Sequence, residues 1–253
     1  MNDFLLTWRR EAPEGDHAAV ARAICDRHTG IGADGWMLVD AESEGGADGA
    51  IQLYNSDGSE AEISGNGTRC AAALLVEHGH AEETVVIRTG AGTKYLRLLG
   101  RQGVEFNFEM NMGRPEIREA RFALPLSTGA RDTVILWVGN PQCAVPVDDF
   151  DFDWRGMGAE IERHPQFPNR TNVSFLRRID EHTIDVRFFE RGAGETMSSG
   201  TGSTGAAAAA LARGWVTSPV HVRTPAGVIE IRQEDDMYLV GPAVLIGEGQ
   251  FYL

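Results

Sequence analysis

Apolar and polar residues alternate in short runs along most of the chain, and this period of two is the pattern of half-buried β-strands. Glycine-containing turns separate many of the runs, which is typical of hairpins and meanders. Helices are predicted at 17–27 and 152–165. Strands are predicted within 2–8, 28–40, 50–59, 84–89, 94–99, 104–110, 133–147, 167–179, 182–192, 220–233 and 235–253. Some of these ranges also contain turns: a glycine turn opens 28–40, an Asn-Ser-Asp-Gly turn ends 50–59, Asn140-Pro141 breaks 133–147, and glycine turns interrupt the last two.

The stretch from Asp185 to Gly214 combines a strand, a glycine-rich turn and a helix. The alanine run at 206–210 is a strong helix former, and Gly214 is predicted to close the helix as its C-cap. The turn at 198–204 is nearly free of large side chains, so its N–H groups lie open at a helix N-terminus. Unpaired donors and the helix dipole favour an anion there. The stretch therefore predicts a binding site for a carboxylate or a phosphate.

A second stretch repeats this one. Ser64 to Gly79 aligns with Ser199 to Gly214, with the leading Ser-Gly-x-Gly, three central alanines and the closing glycine in register. The repeat predicts a duplicated unit in which two helix N-termini point at one ligand, each presenting a serine.

Two pseudo-symmetric units follow from the repeat, one at 1–115 and one at 116–242. The last strand, at about 243–253, is predicted to return to the first unit. No low-complexity linker is present, so residues 113–125 are predicted to form a short crossover between packed halves.

Composition and net charge indicate which classes of binding partner suit this chain. The chain has 253 residues, of which 42% are hydrophobic and 24% charged, and this predicts an ordinary globular protein. A net charge of −14 argues against a nucleic-acid or anionic-membrane partner, because phosphate surfaces are usually bound by clustered Lys and Arg. A small-molecule partner is the better prediction.

The N-terminus and the cysteines point to the cytoplasm. The first residues lack the layout of a signal peptide, and no segment approaches the roughly 20 apolar residues of a membrane span. Cys25, Cys70 and Cys143 have unrelated spacings, so we predict buried free thiols rather than a disulfide framework or a zinc site.

The glycine turn before the second central helix also matches a dinucleotide-binding pattern. Gly200, Gly202 and Gly205 spell G-x-G-x-x-G. That pattern requires an acidic residue at the end of the next strand, but residues 220–223 carry none and Glu230 lies too far along. Nucleotide binding is therefore the weaker interpretation.

Turn-like asparagines allow two interpretations. Asn55, Asn66, Asn140 and Asn172 all lie where asparagine commonly caps turns. Together with the Glu190–Arg191 pair they could equally bind an amino acid with several polar groups. The residues alone leave both interpretations open.

The combined motifs resemble the diaminopimelate epimerase family over nearly the whole chain. They are the initial Asn-Asp-Phe, 27–35, 54–70, 139–141, 167–173 and 190–202. The resemblance implies an α/β (α+β) fold of two pseudo-symmetric halves, each a mixed, mostly antiparallel sheet curled around a central helix. It also implies an active site in the cleft between them.

The family inverts the α-carbon of an amino acid without cofactor or metal, converting LL- to meso-diaminopimelate in lysine and cell-wall biosynthesis. The resemblance thus implies a small-molecule amino acid as partner and leaves a homodimer open. The family's two catalytic cysteines correspond to Ser64 and Ser199, and a histidine that follows Asn-Pro corresponds to Gln142. The implied substrate-binding residues are Asn2, Asn55, Gly65, Asn66, Asn140, Asn172, Arg191, Gly200 and Thr201.

The serines change the expected chemistry. A serine hydroxyl is roughly five pKa units less acidic than a thiol, which makes it about 7 kcal/mol harder to ionise. A helix dipole contributes only about 0.3 to 2 kcal/mol. We therefore expect the unaided Ser64/Ser199 pair to be a poor acid–base couple unless a neighbouring carboxylate acts as the base. Glu190, grouped with the two serines as catalytic, Glu195 and Glu62 are the candidates.

Three hypotheses follow from these substitutions. The chain is a divergent enzyme that still transfers protons on an amino acid, with isomerisation or dehydration as other outcomes. It is a diaminopimelate epimerase in the strict sense, with an unexpected mechanism or engineered serines. It is a binding or regulatory protein that has kept the pocket and lost the catalyst.

Overall fold

The chain forms two structural units in a computed structural model that describes residues 2–43 and 45–252. The first unit contains residues 2–110 and 241–252, and the second contains residues 111–240. The C-terminal segment therefore belongs with the first unit, where the Leu245 N–H donates to Val104 O at 3.0 Å.

The first unit is a mixed sheet with two α-helices. Its elements are β1 (Phe4–Trp8), a 3₁₀ turn (Arg9–Glu11), α1 (His17–Cys25), β2 (Gly35–Ser43), β3 (Ala47–Asn55), β4 (Glu60–Ala61), α2 (Gly65–Glu77), β5 (Thr84–Thr89), β6 (Gly92–Gln102) and β7 (Glu105–Gly113). The pairs β1–β2 and β3–β5 are parallel. The pairs β2–β3, β5–β6 and β6–β7 are antiparallel, and β4 is a short addition to β3.

The second unit is built in the same way. Its elements are β8 (Glu116–Leu124), β9 (Arg131–Trp137), β10 (Pro141–Pro146), α3 (Trp154–Glu162), β11 (Asn172–Arg178), β12 (Thr183–Glu190), β13 (Gly194–Thr196), α4 (Gly200–Ala212), β14 (Val220–Thr224), β15 (Gly227–Gln233) and β16 (Met237–Val244). The pairs β10–β11 and β12–β14 are parallel. The pairs β8–β9, β9–β10, β11–β12, β12–β13, β14–β15 and β15–β16 are antiparallel.

One topology is repeated in the two units. The strands β1, β2, β3, β5, β6 and β7 correspond to β10, β11, β12, β14, β15 and β16, because both series pair as parallel, antiparallel, parallel, antiparallel and antiparallel. In each unit one helix connects the first parallel pair and a second connects the other parallel pair. The predicted duplicated α+β fold, with a mixed and mostly antiparallel sheet in each unit, is confirmed.

Each sheet curls around one buried helix. In the second unit α4 packs against strands β8 to β12, β14 and β15, and residues Gly202–Ala210 are all buried. Alanine suits this position because its methyl group lets strands approach the helix from several sides. In the first unit α2 packs against β1, β2, β3 and β5. None of the helices within the described ranges has the length and hydropathy of a membrane span.

Gly214 ends α4 as predicted. Its φ of 66° is left-handed, a conformation that glycine adopts without steric cost. The Gly214 N–H donates to Leu211 O and the Trp215 N–H donates to Ala210 O, both at 2.9 Å. This is the pairing of a glycine helix stop. Gly79, with φ of 73°, occupies the matching position after α2.

The segment predicted as a crossover at 113–125 instead contains a strand. Residues 116–124 form β8, which pairs with β9 through two register shifts. Four of its nine residues are charged and only Leu124 is buried. The alternation that identifies a strand in the sequence is therefore almost absent here.

Candidate active site

Polar side chains lie at the N-terminus of each central helix. We call the set in the second unit the second polar cluster, which comprises Asn140, Gln142, Asn172, Glu190, Arg191, Ser199, Gly200 and Thr201. The first polar cluster, in the first unit, comprises Asn2, Asp34, Ser64, Gly65, Asn66 and Arg69. The residues predicted as catalytic or substrate-binding fall in one of these two sets, with the exception of Asn55.

Ser199 is the N-cap of α4. Its backbone is extended, with φ of −144° and ψ of 126°, and its Oγ accepts the Gly202 N–H at 3.1 Å. Its carbonyl oxygen accepts the Ser203 N–H at 2.9 Å. Serine is a preferred N-cap because its short hydroxyl reaches an N–H that has no partner inside the helix. Ser199 is only 6% exposed, so this hydroxyl is largely shielded from water.

Glu190, the last residue of β12, contacts the same hydroxyl. Ser199 Oγ donates to Glu190 Oε1 at 2.7 Å. The serine hydroxyl thus accepts a hydrogen bond from the backbone and donates one to a carboxylate. In this arrangement a proton can pass between the serine and the glutamate.

The ionisation costs of the two side chains favour Glu190 over Ser199 as the group of this pair that accepts a proton. Ionising a serine costs about 7 kcal/mol more than ionising a cysteine, and a helix N-terminus offsets at most about 2 kcal/mol of that. The hydrogen bond to Glu190 stabilises the neutral hydroxyl, so it does not help the serine to ionise. Glu190 can therefore hold a proton, and Ser199 can relay one to it.

Asn140 connects the start of β10 to the start of α4. Its Nδ2 donates to Thr201 Oγ1 at 3.4 Å, and its Oδ1 accepts from Gln142 Nε2 at 2.6 Å. Gln142 is 2% exposed, and its Oε1 has no hydrogen-bond partner among the described residues. Because Thr201 accepts from Asn140, its hydroxyl proton is directed elsewhere and can be donated to a ligand.

Asn172 holds the backbone that follows Glu190. Its Nδ2 donates to Pro141 O at 3.1 Å, and its Oδ1 accepts the Arg191 N–H at 3.0 Å. Asn172 is buried, whereas the Arg191 side chain is exposed and donates to Asn169 O at 3.3 Å. Asn172 therefore positions the Glu190–Arg191 pair through the backbone.

Ser64 is the N-cap of α2 and matches Ser199 in geometry. Its φ is −129° and its ψ is 122°, and its Oγ accepts the Gly67 N–H at 3.1 Å. The two serines differ in one respect. Among the described residues no carboxylate accepts a hydrogen bond from Ser64 Oγ, whereas Ser199 has Glu190.

A chain of side-chain hydrogen bonds runs beside Ser64. Arg69 Nη2 donates to Asn66 Oδ1 at 2.7 Å, Asn66 Nδ2 donates to Asn2 Oδ1 at 2.6 Å, and Asn2 Nδ2 donates to Asp34 Oδ2 at 2.9 Å. A cation at one end and a carboxylate at the other thus fix both amides in one orientation. Asn2 before β1 and Asn140 before β10 have equivalent roles, since each bonds the second residue of its central helix.

Arg69 is a site residue that the sequence reasoning missed. It is 4% exposed and no carboxylate among the described residues contacts it. Its Nη1 also donates to Gly65 O at 3.4 Å and its Nε donates to Pro242 O at 3.3 Å. Burial lowers the pKa of Arg69 to about 10. The spacing of three residues from Asn66 on a helix is the sequence signal that could have identified this contact.

Asn55 is the exposed last residue of β3, where the turn to β4 begins. Its Nδ2 donates to Ser59 Oγ at 3.0 Å, and its N–H donates to Ser59 O at 2.8 Å. The next residue, Ser56, donates its N–H to Asp34 O at 3.1 Å, which links this turn to the first polar cluster. The Asn55 side chain itself stabilises the turn.

Both helix N-termini present free donors. The serines accept only the N–H groups of Gly67 and Gly202. The two N–H groups that open each helix have no hydrogen-bond acceptor among the described residues; they belong to Gly65 and Asn66 in α2 and to Gly200 and Thr201 in α4. Such consecutive N–H groups at a helix N-terminus suit a carboxylate.

The two alternative bases have different surroundings. Glu195 forms a two-pronged ion pair with Arg155, at 2.5 and 2.8 Å, on the surface. This pairing also raises the pKa of Arg155, chiefly through the hydrogen bond to Glu195. Glu62 is exposed. Only Glu190 among the three proposed bases contacts a cap hydroxyl in the described structure.

The cysteines are free, as predicted, and Cys25 and Cys143 are buried, whereas Cys70 is half-buried. Burial raises the pKa of Cys25 to about 11 and that of Cys143 to about 12. Burial raises the pKa of Cys70 as well. None of them has the lowered pKa of a reactive thiolate. Within the described part of the chain, no group of three or more His, Cys, Asp or Glu is arranged to hold a metal ion.

The cap geometry predicts a stability effect. Ser64→Ala should lower the free energy of unfolding by about 1 kcal/mol, because the Gly67 N–H loses its acceptor. Ser199→Ala should lower the free energy of unfolding by about 1 kcal/mol more than Ser64→Ala does, because it also removes the hydrogen bond to Glu190. Chemical denaturation measures both, with Ser64→Asn and Ser199→Asn as controls that can still cap. Equal stability of the alanine and asparagine variants would contradict the capping role.

The similarity to known proteins extends over nearly the whole chain. A family model described as diaminopimelate epimerase matches residues 2–117 and 134–246. The chain is 35% identical over 269 residues to a protein named diaminopimelate epimerase from Pelotomaculum thermopropionicum, covering 99% of this chain and 95% of that protein. It is also 35% identical over 272 residues to one of the same name from Burkholderia mallei, covering 98% and 94%.

Solved structures share the fold. A probable proline racemase from Agrobacterium radiobacter matches with a TM-score of 0.70 and 18% identity, covering 93% of this chain and 81% of that chain. A PhzF-family phenazine biosynthesis protein from Bacillus anthracis matches with a TM-score of 0.68 and 16% identity, covering 92% and 88%. At these identities the likeness concerns the fold alone.

Proposed function

The chain belongs to the diaminopimelate epimerase family of isomerases, and from this premise we propose that it transfers a proton at the α-carbon of an amino acid without a cofactor. The observation that carries the proposal is the hydrogen bond of 2.7 Å from Ser199 Oγ to Glu190 Oε1 at the N-terminus of α4. A carboxylate that can accept a proton is thus joined to the residue that stands where the family has a catalytic cysteine.

Proton removal follows from this pair. The α-C–H bond of the substrate breaks, its proton passes to Glu190 directly or through Ser199, and the electron pair stays on the α-carbon, delocalised into the adjacent carboxylate. The free N–H groups of Gly200 and Thr201 can stabilise the negative charge that develops on that carboxylate. Delivery of a proton to the opposite face inverts the configuration. The family resemblance assigns that step to Ser64, which would act as a relay: its hydroxyl gives its proton to the α-carbon and takes one from water, so no free alkoxide is left.

We propose LL-diaminopimelate as the substrate, because the relatives at 35% identity are named for this compound. Several neutral amides and the exposed Arg191 support a substrate with more than one polar group. A cytoplasmic location belongs to the same proposal and rests on the sequence argument.

A proton shift within the substrate is a second candidate function. It is favoured by the difference between the two caps, since Ser199 has a carboxylate partner and Ser64 has none among the described residues. One acid–base group can remove a proton from the α-carbon and return it to a neighbouring conjugated carbon. Such a reaction gives a product with a moved double bond rather than a stereoisomer.

A chiral assay tests the proposal. The protein is incubated with LL-diaminopimelate and, in parallel, with a panel of other amino acids, and the stereoisomers are separated by chiral chromatography. We expect meso-diaminopimelate to accumulate and the melting temperature to rise with substrate. The panel includes a β,γ-unsaturated amino acid, and a product of it with a moved double bond, detected by NMR, would favour the second candidate. If no amino acid is converted and none raises the melting temperature, the proposed substrate class is wrong.

A further inference from the structure

Glu162, the last residue of α3, is a buried carboxylate with 1% exposure. Its Oε1 accepts the Gly192 N–H at 3.1 Å and contacts the Arg170 guanidinium. Its Oε2 accepts from Arg163 Nε at 3.2 Å. Carboxylates are almost never buried this completely unless they are paired, because removing the charge from water is costly. The burial of Glu162 therefore depends on its pairing with these groups.

Glu162 anchors the turn that follows Glu190. Arg191 and Gly192 donate consecutive N–H groups to two buried side chains, Asn172 Oδ1 at 3.0 Å and Glu162 Oε1 at 3.1 Å. Gly192 has a left-handed φ of 79°. Side-chain acceptors thus fix the backbone where this turn leaves the ladder of β12.

Arg170, which contacts Glu162, has an unusual backbone conformation. It has a positive φ of 61°, which is uncommon for a residue with a side chain, and its N–H donates to Phe167 O at 2.8 Å. Burial raises the pKa of the Glu162 carboxyl, but the hydrogen bonds from Arg170 and the Gly192 N–H outweigh burial, so its pKa is lowered. Glu162 is therefore charged at neutral pH, and its charge strengthens the bond to the Gly192 N–H.

We propose that Glu162 is a positioning residue for the reaction, because its hold on the Gly192 N–H keeps Glu190 at hydrogen-bond distance from Ser199 Oγ. The inference rests on the proposed function, since Glu162 acts through Glu190. A small displacement of a catalytic group can cost about 100-fold in rate, so an anchor two residues away has a measurable effect.

Glu162→Gln is the first test, because it keeps the size of the side chain but removes its charge. The glutamine amide would place donors against the Arg170 and Arg163 guanidinium groups and weaken the anchor. We expect kcat to fall about 10- to 100-fold while KM changes less than about threefold. Glu160→Gln is the matched control on the same helix, since Glu160 is half-buried and its hydrogen-bond donors among the described residues belong to Ser127. It should leave kcat within about twofold.

A double-mutant cycle separates positioning from a general loss of stability. If Glu162 acts through Glu190, Glu162→Gln combined with Glu190→Gln should be no slower than Glu190→Gln alone. A double variant whose kcat falls by the product of the two single-variant losses would overturn the proposal. Arg170→Met loosens the same carboxylate from the other side, so the test does not depend on Glu162→Gln folding, and it should lower kcat in the same direction.

Amide hydrogen exchange distinguishes failure of the anchor from failure of the proposed function. Exchange at Gly192 should rise about tenfold or more in Glu162→Gln, whatever the substrate. An active wild type whose kcat survives Glu162→Gln would overturn the positioning role and leave the proposed function intact. A wild type inactive on every amino acid would overturn both the proposed function and the catalytic positioning role, even with faster Gly192 exchange.

Discussion

Glu190→Gln should lower the rate of α-proton transfer by about 10²- to 10⁴-fold, the range expected when a general base is removed. Glutamine keeps the size of the side chain, and its Oε1 can still accept the Ser199 hydroxyl that bonds Glu190 Oε1 at 2.7 Å. The fold should therefore lose less than about 1 kcal/mol. What glutamine cannot do is hold the proton taken from the substrate. The measurement is the rate of α-proton exchange at saturating substrate, together with the denaturation midpoint.

Glu195→Gln is the matched control for this experiment. Glu195 lies five residues further along the chain, but its carboxylate is bound to Arg155 on the surface. Because ion pairs at the surface contribute little, the variant should keep activity within a few fold and stability within about 1 kcal/mol. If Glu195→Gln is as slow as Glu190→Gln, or if Glu190→Gln stays within threefold of wild type, Glu190 is not the base.

Cysteine at both caps should change activity and stability in opposite directions. The variant Ser64→Cys/Ser199→Cys should react at least about tenfold faster, because thiols ionise at roughly 7 kcal/mol less cost than hydroxyls. It should also lose about 0.5 to 2 kcal/mol of stability at each helix, because a thiol is a weaker acceptor for the Gly67 and Gly202 N–H groups. Both effects come from the same two atoms, so they should appear together.

Ser198→Cys provides the control for the thiol itself. It places a cysteine one residue before the cap of α4, where its sulfur does not replace an N-cap oxygen. We expect wild-type rate and stability within about 0.5 kcal/mol. A double-cysteine variant that is slower than wild type at equal folded fraction would show that the hydroxyls are suited to the reaction as they stand.

Local patterns in the sequence were sufficient for much of the fold. The alternating runs predict most strands because each side of a strand faces a different environment. Gly214 and the alanine run predict the end and the burial of α4, since both signals lie within a few residues of their effect. The alignment of Ser64–Gly79 with Ser199–Gly214 predicts the duplication. The strands of the two units pair in the same order, as a duplication requires.

Contacts between distant residues were beyond such patterns. Periodicity indicates which side of an element is buried, but it does not identify the partner across the core. The Arg69 bond to Pro242 spans 173 positions and the Glu162 bond to Gly192 spans 30. For the same reason the sequence left Glu190, Glu195 and Glu62 as alternative bases. The distance from Ser199 Oγ to Glu190 Oε1 now favours the first of them.

Proton transfer at the α-carbon is the central proposal, and NMR in deuterium oxide tests it most directly. The unmodified protein is incubated with LL-diaminopimelate, and the α-proton signal is followed with time against a sample without protein. We expect the signal to decay, with deuterium at the α-carbon of the product, and the decay to slow by about 10²- to 10⁴-fold in Glu190→Gln. A substrate that raises the melting temperature while its α-proton signal persists at the level of the protein-free sample would contradict it.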